Sequence, residues 1–368
     1  MRRKLWGLLQ SSISKRVVIG GGPVRSARGR YVILLSLVLL LLVLVLSGGV
    51  GAVHIPPGEA IRIVLSRVPG ITITPDWPQT HEAILWRIRL PRVVLGMLAG
   101  MALAVAGGAF QGLFKNPLVD PYVLGVSSGA GLGASIAIAF LGSLSVTAIG
   151  AVPLFAFTGG VVTVMLVYRL AAVGPRVPVV ALLLAGVAVG AFNSSLVSLI
   201  LYFTDSHARD AILFWMMGGL GGANWTKVAW LLPYLMAGFG VLLFYGRELN
   251  AMLMGEEPAR HLGVEVEWVK RSVLVAGSLL TAASVAFCGS IGFVGLIVPH
   301  VVRFLVGPDH RLLLPASAVL GAVVLVAADT IARSILGSAE IPVGLVMAVT
   351  GGPFFLWLLR RRLKPADA

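Results

Sequence analysis

Ten apolar runs of about membrane length, separated by short polar or proline-containing intervals, constrain this chain more than any other feature. They lie at roughly residues 31–46, 93–113, 125–140, 152–172, 180–203, 227–245, 272–288, 289–307, 312–331 and 341–359. In lipid a single segment of this kind satisfies its backbone polar groups only as a helix. The expected fold is therefore an all-α polytopic membrane protein, with about ten transmembrane helices in one domain spanning 31–364. Composition agrees. The 368 residues are 58% hydrophobic and 12% charged, against roughly 25% charged in a soluble domain. The 45 glycines and 20 prolines suit closely packed, interrupted membrane helices.

The net charge of +14 does not point to nucleic acid, because the bases sit in tails and short loops, where they set topology. Residues 1–30 carry eight Lys/Arg and no acid and read as a basic cytoplasmic tail. With the run at 31–46 they resemble a secretory signal, SGGVGA standing where cleavage would fall. The later spans instead make this run a first transmembrane helix in the cytoplasmic (inner) membrane. Ten spans then leave both termini and the polar interval 247–271 in the cytoplasm, the side on which most Lys/Arg fall. Residues 47–90, with Pro56, Pro57, Pro69, Pro75 and Pro78, read as an external loop holding short amphipathic pieces. Residues 204–224 form a second external segment, apolar enough at its centre to lie on the membrane. Spans two to five and seven to ten each follow a charged lead-in and hold a short, proline-interrupted turn. That pattern suggests inverted repeats.

The interval 247–271 contains Glu248, Glu256, Glu257, Glu265 and Glu267 beside Arg247, Arg260, Lys270 and Arg271. Gly255, Pro258 and Gly263 break it into two short helices, at about 248–254 and 257–262. Leu249, Met252 and Leu253 form one apolar face, Ala259 and Leu262 another. Such an elbow is either a docking knob for a soluble partner or a solvated loop. The chain has no GK[ST] phosphate loop, HExxH or GxSxG. His54, His81, His207, His261, His300 and His310 are scattered, and Cys288 stands alone in an apolar run. No catalytic, cofactor-binding or metal residue is expected. Asp329 is the acid nearest a span interior, and a local i,i+4 pair with Arg333 is the favoured reading. Asn193, Ser194, Ser195 and Ser198 give the fifth span polar groups that either line a wet path or bond back to the helix.

Seven motifs, in order, sharpen the reading: GGAFQGLFKNPLVDPYVLGVSSGAGLGA (107–134), LLLAGVAVG (182–190), WMMGGLGGANW (215–225), GEEPARHLGV (255–264), GSIGFVGLIVPHVVR (289–303), DHRLLLPASAVLGA (309–322) and EIPVGLVMAVTGGPFFLWLL (340–359). Over about residues 31–362 the chain resembles the FecCD-type permeases, the transmembrane subunits of ABC importers for vitamin B12, ferric siderophores and haem. The resemblance implies the type II importer permease fold and a homodimer with its path between the two copies. It also implies two cytoplasmic ABC ATPase subunits, which hold the ATP and Mg, and an extracytoplasmic substrate-binding protein. Gly255, Glu256, Glu257, Ala259, Arg260, Leu262 and Gly263 match the ATPase-coupling helices. Asn116 and Leu118 match one cytoplasmic gate. The second gate falls on Val179 and Val180, where the family's B12 permease has small hydroxyl residues. Two valines make a drier constriction. Asn193, Ser194 and Ser198 are the candidate pathway residues. Arg89, Arg92 and Arg333 match the external arginines expected to receive carboxylates of the binding protein. Ala259 and Gly263, being small, are expected to sit against the ATPase. An ion-coupled secondary transporter with inverted repeats is the alternative, weakened by the scarcity of mid-span acids. A membrane-embedded enzyme would need a polar catalytic cluster that the spans lack.

Overall fold

The protein is described from a computed structural model over residues 23–51, 53–141, 150–174, 176–336 and 340–363. Besides a 3-10 turn at Pro121–Leu124, fourteen helices occur among these: α1 (Pro23–Gly49), α2 (Pro57–Leu65), α3 (Gln79–Leu113), α4 (Val126–Leu141), α5 (Ala151–Ala171), α6 (Val179–Phe203), α7 (Ser206–Met216), α8 (Trp225–Phe244), α9 (Gly246–Leu253), α10 (Glu256–His261), α11 (Val266–Cys288), α12 (Val294–Val306), α13 (His310–Ala332) and α14 (Val343–Leu363). Eight (α1, α3, α5, α6, α8, α11, α13 and α14) are long and apolar enough to cross a membrane, and α4 and α12 are shorter apolar helices. Each of the ten expected spans therefore has a helix.

Helix boundaries differ from the expectation where a polar lead-in joins a helix. Helix α1 already runs from Pro23, so the last residues of the basic tail are helical, while 1–22 lie outside the described residues. Helix α3 begins at Gln79 and passes through a π-helical stretch at Leu85–Arg89 before its apolar part. Helix α11 begins at Val266, so the charged end of the elbow is its first turn. The eighth span is helical only from Val294 to Val306, because the five residues before it are not helical, Gly289 and Phe293 among them standing at positive φ.

Helix α3 is the axis of the bundle. Of its most apolar window 83% is buried, against 22% for α6. It packs on α13, α11, α12 and α8. Glycine makes two of these approaches possible. A Cβ on Gly107 would lie 1.8 Å from the carbonyl oxygen of Gly295 on α12, and one on Gly100 would lie 2.3 Å from that of Gly321 on α13. Backbones this close leave no room for a side chain.

The two short helices have the same start. Gly125 precedes α4 at φ 76° and Phe293 precedes α12 at φ 68°, both left-handed. Gly125 adopts this freely, whereas Phe293 pays a steric cost that its packing must hold. Each short helix is the second of a four-span group, α3–α6 or α11–α14, as the sequence pattern of duplication suggested.

Candidate functional site

One face of α6 is open along the whole helix. Val180, Leu184, Val187, Ala191, Ser194, Ser198 and Tyr202 recur at three- and four-residue steps, and all are exposed. At 100° per residue they fall within a narrow stripe. The gate candidate Val180 and the pathway candidates Ser194 and Ser198 thus share one surface. Asn193 does not belong to it. It points to the opposite side of α6, is 5% exposed, and donates to Thr163 Oγ1 at 3.0 Å and Ser128 Oγ at 3.3 Å. The amide joins α4, α5 and α6 within the subunit because one residue along a helix turns a side chain by 100°. The Ser198 hydroxyl bonds back to the Ser194 carbonyl at 3.0 Å, which satisfies it without taking it off the open face. In a Cys288→Ala background, Ser194→Cys and Ser198→Cys are expected to react with a water-soluble methanethiosulfonate roughly tenfold or more faster than Asn193→Cys. Labelling rates in membranes check this.

The other gate candidates lie at the same end of the bundle. Asn116 is exposed and its Oδ1 accepts the Leu118 amide at 3.0 Å, fixing the turn that follows α3. Just beyond, Pro121–Leu124 lies against α6, and a Cβ on Gly186 would stand 2.2 Å from the Val123 carbonyl oxygen. Gln111, at the end of α3, donates to the Leu296 carbonyl at 3.1 Å and accepts from Arg303 at 3.4 Å. The Tyr122 hydroxyl donates to the Ile291 carbonyl at 2.8 Å and accepts its amide at 3.1 Å. Ser127 and Ser290 hydroxyls meet at 2.8 Å. The lead-ins to the two short helices are therefore bolted to each other. Gln111, Tyr122 and Ser290 lie within the quoted motifs, but nothing in their spacing says that 107–134 and 289–303 touch.

The elbow is two helices, α9 and α10. Leu249 and Met252 of α9 are fully buried. Asn250 fastens α9 to the start of α13: its Oδ1 accepts the His310 amide at 2.8 Å and its Nδ2 donates to Asp309 at 2.6 Å. Burial works to raise the Asp309 carboxyl, but hydrogen bonds from Arg311 and Asn250 outweigh it and hold the group below the usual carboxylate value. Gly255 (φ 134°) and Gly263 (φ 83°) bracket α10 in conformations that need glycine. Ala259, expected against a partner, instead turns inward and is fully buried, whereas Leu262 is 66% exposed. The two were grouped on one face, but α10 ends at His261 and Leu262 leaves the helix. Its outward surface is formed by Glu257, Arg260, Leu262 and Gly263, with Gly255 and Glu256 half-buried at its start.

At the far end of α13 from Asn250, Arg89, Arg92 and Arg333 come together with their guanidinium groups turned inward, each 5–7% exposed. Arg89 donates to the carbonyls of Gly48 at 2.7 Å, Gly49 at 3.0 Å and Val53. Arg333 donates to Val50 O at 2.9 Å and to Ser47 O and Oγ at 2.6 Å. The two arginines cap the carbonyls that α1 leaves unpaired at its C-terminus. Arg92 holds Asp329 through Nε and Nη2 at 2.9–3.1 Å and Glu340 through Nη1 at 2.7 and 2.9 Å. Asp329 is thus paired chiefly across helices. Arg333, the partner favoured from sequence, is secondary at 3.6 Å. The reason is the close α3–α13 approach, which brings Arg92 within reach of a residue 237 positions away. A docking carboxylate reaches these arginines only if internal bonds are released. Glu340, with its side chain 55% exposed, is the member of the network that meets solvent. A cavity of about 490 Å³ opens beside it, lined among others by Arg92, Glu340, Lys227, Trp215 and Phe287. Among the described residues no group of three or more His, Cys, Asp or Glu side chains is placed to hold a metal ion.

The model of the FecCD transport family matches residues 39–361. The chain belongs to this family. FecCD relatives extend along most of its length. A protein of Halobacterium salinarum named as a cobalamin import system permease, BtuC, is 48% identical over 285 residues, covering 77% of this chain and 75% of its own. The vitamin B12 import system permease BtuC of Escherichia coli is 39% identical over 333 residues, 90% of this chain and 94% of its own. An uncharacterized ABC transporter permease of Bacillus subtilis, YvrB, is 42% identical over 324 residues, 87% and 90% of the two chains. A solved inward-facing structure of a metal-chelate type ABC transporter superposes with a TM-score of 0.77 at 30% identity, over 90% of this chain and 99% of that one. The FecCD assignment and the ten apolar helices make this a multi-pass membrane protein of the ABC permease type.

Proposed function

We propose that this chain is the permease subunit of a binding-protein-dependent ABC importer in the cytoplasmic membrane, and that its cargo is a cobalamin. The observation that carries the cargo is the naming of relatives 39–48% identical over at least three quarters of both chains as cobalamin or vitamin B12 permeases. In this reading two copies face each other across the open stripe of α6. Ser194 and Ser198 wet the middle of the path, and Val180 narrows it at the cytoplasmic end. Valines close such a constriction by excluding water. The glycine-bracketed helix α10 meets an ATPase subunit through Glu257, Arg260, Leu262 and Gly263, and ATP and Mg bind that partner. A binding protein delivers cargo at the opposite end, where Glu340 is the exposed member of the arginine network. Ion-coupled transport fits less well, because the buried Asp329 is fully engaged by arginine rather than free to take an ion.

The test is uptake by proteoliposomes holding this chain with the ATPase and binding protein of the same genome. ATP-dependent accumulation of labelled cyanocobalamin is expected, abolished when the ATPase is omitted. Accumulation of ferric siderophore or haem with no cyanocobalamin uptake would overturn the cargo. Uptake driven by an ion gradient without ATP would overturn the importer class.

A further inference from the structure

Glu267, on the first turn of α11, makes contacts that join two distant parts of the chain. Its Oε2 accepts the Val177 amide at 3.3 Å, across 90 residues of sequence. Its Oε1 lies 3.4 Å from Lys270 Nζ and 3.5 Å from Arg260 Nη2. Lys270, its side chain 5% exposed, is held more tightly by Glu256 at 2.8 Å. Arg260 stands within 3.5–3.8 Å of Glu256, Glu257 and Glu267, with no close bidentate partner among them. A guanidinium shared in this way moves among its carboxylates at small cost, since what it loses at one it regains at another.

Val177 lies two residues before α6 in a stiff turn. The Val173 amide bonds the Arg176 carbonyl at 2.9 Å, and the Arg176 amide returns to Val173 at 3.3 Å. Pro178 fixes its own φ and its carbonyl accepts the Leu182 amide at 3.1 Å. Holding the Val177 amide therefore holds Val179 and Val180. The elbow's other helix is anchored elsewhere, by Asn250 to the start of α13. Of the two sides of the elbow, one is fixed to the bundle and one leads to the turn before α6.

We propose that Glu267 is a positioning residue that ties the start of α6 to the coupling elbow through the Val177 amide and Arg260. The proposal rests on reading α10 as the surface met by a partner. A partner that draws on the exposed Glu257 takes Arg260 with it, and Glu267 is then freed to shift Val177 and the valines that follow.

The geometry is tested on the full chain in lipid nanodiscs, with no partner and no cargo. In a Cys288→Ala background, spin labels at Arg176→Cys and His261→Cys report the distance from turn to elbow. A second pair, His261→Cys and Phe304→Cys, reports the distance from elbow to α12. The first pair is expected to give one narrow distribution. Glu267→Ala should raise the population outside that peak about fivefold, the scale of losing one modest hydrogen bond. Glu267→Gln, which keeps a carbonyl acceptor for the Val177 amide, should restore it. The second pair should stay unchanged in both variants. The proposal is overturned if the alanine variant is as narrow as the parent, if glutamine behaves as alanine does, or if both label pairs broaden together. The last result would mean that Glu267 only keeps the elbow folded. Failure of the cobalamin reading leaves these distances as they are, so the two failures are distinguishable.

Discussion

Asp329→Ala is expected to destabilise the chain by about 3–5 kcal/mol, the scale of removing one partner from a buried ion pair. Asp329 and Arg92 have side chains only 2% and 8% exposed. Without the carboxylate, two guanidinium groups, those of Arg92 and Arg333, face one another in a low-dielectric site. Their remaining neutralisation comes from the half-exposed Glu340. The pair is not itself a strong source of stability, since desolvation offsets much of its attraction. The expected signature is therefore non-additive. Arg92→Met combined with Asp329→Leu should recover most of the loss, because it removes both charges at once. Thermal unfolding of the detergent-purified chain measures the double variant against Arg92→Met and Asp329→Leu made singly. A double variant that sums the two single losses would show that Arg92 and Asp329 are not energetically coupled.

Gly107→Ala is expected to cost about 3 kcal/mol or more, the upper end of the usual range for overpacking. The added methyl would meet the Gly295 carbonyl oxygen at 1.8 Å, and the next nearest atoms are also backbone. No rotamer relieves that contact, so α3 and α12 must separate. Separation stretches the Gln111 bond to Leu296 and disturbs the joined lead-ins of the two short helices. Yield of monodisperse protein and its unfolding midpoint should both fall. Gly240→Ala is the control, because nothing lies within 4 Å of a Cβ there. It should be neutral or slightly stabilising, alanine being the better helix former by about 1 kcal/mol.

The elbow, the α6 face and the arginine cluster differ in how much of them was legible in the sequence. The elbow was visible because glycines, a proline and a block of charge interrupt apolar runs, and such interruptions are local. Its two helices appear within two residues of the expected bounds. The orientation of Ala259 was not visible, because a six-residue helix buries whichever face its neighbours offer. On α6 the periodicity of the sequence contains the open stripe, yet its polar residues drew attention without regard to angle. The 100° between Asn193 and Ser194 separates a buried bridge from an open face. The arginines were recognised as unusual, but their hydrogen-bond partners are 36 to 286 positions away in the chain, and pattern reading does not reach that far.

What the sequence determined by itself is the number of apolar spans, their approximate limits and the family. Lipid leaves a single apolar segment no choice but a helix, and the motifs that break those helices are contiguous. What only the tertiary structure decided is which polar groups are taken. Arg92 turns from a candidate docking residue into the partner of Asp329, and Asn193 from a candidate lining residue into a bridge. Glu267, one acid among five in the elbow interval, becomes the acceptor for Val177. For Arg92 and Asn193 a buried polar group must find a partner, and the partner is set by which glycines let two helices meet.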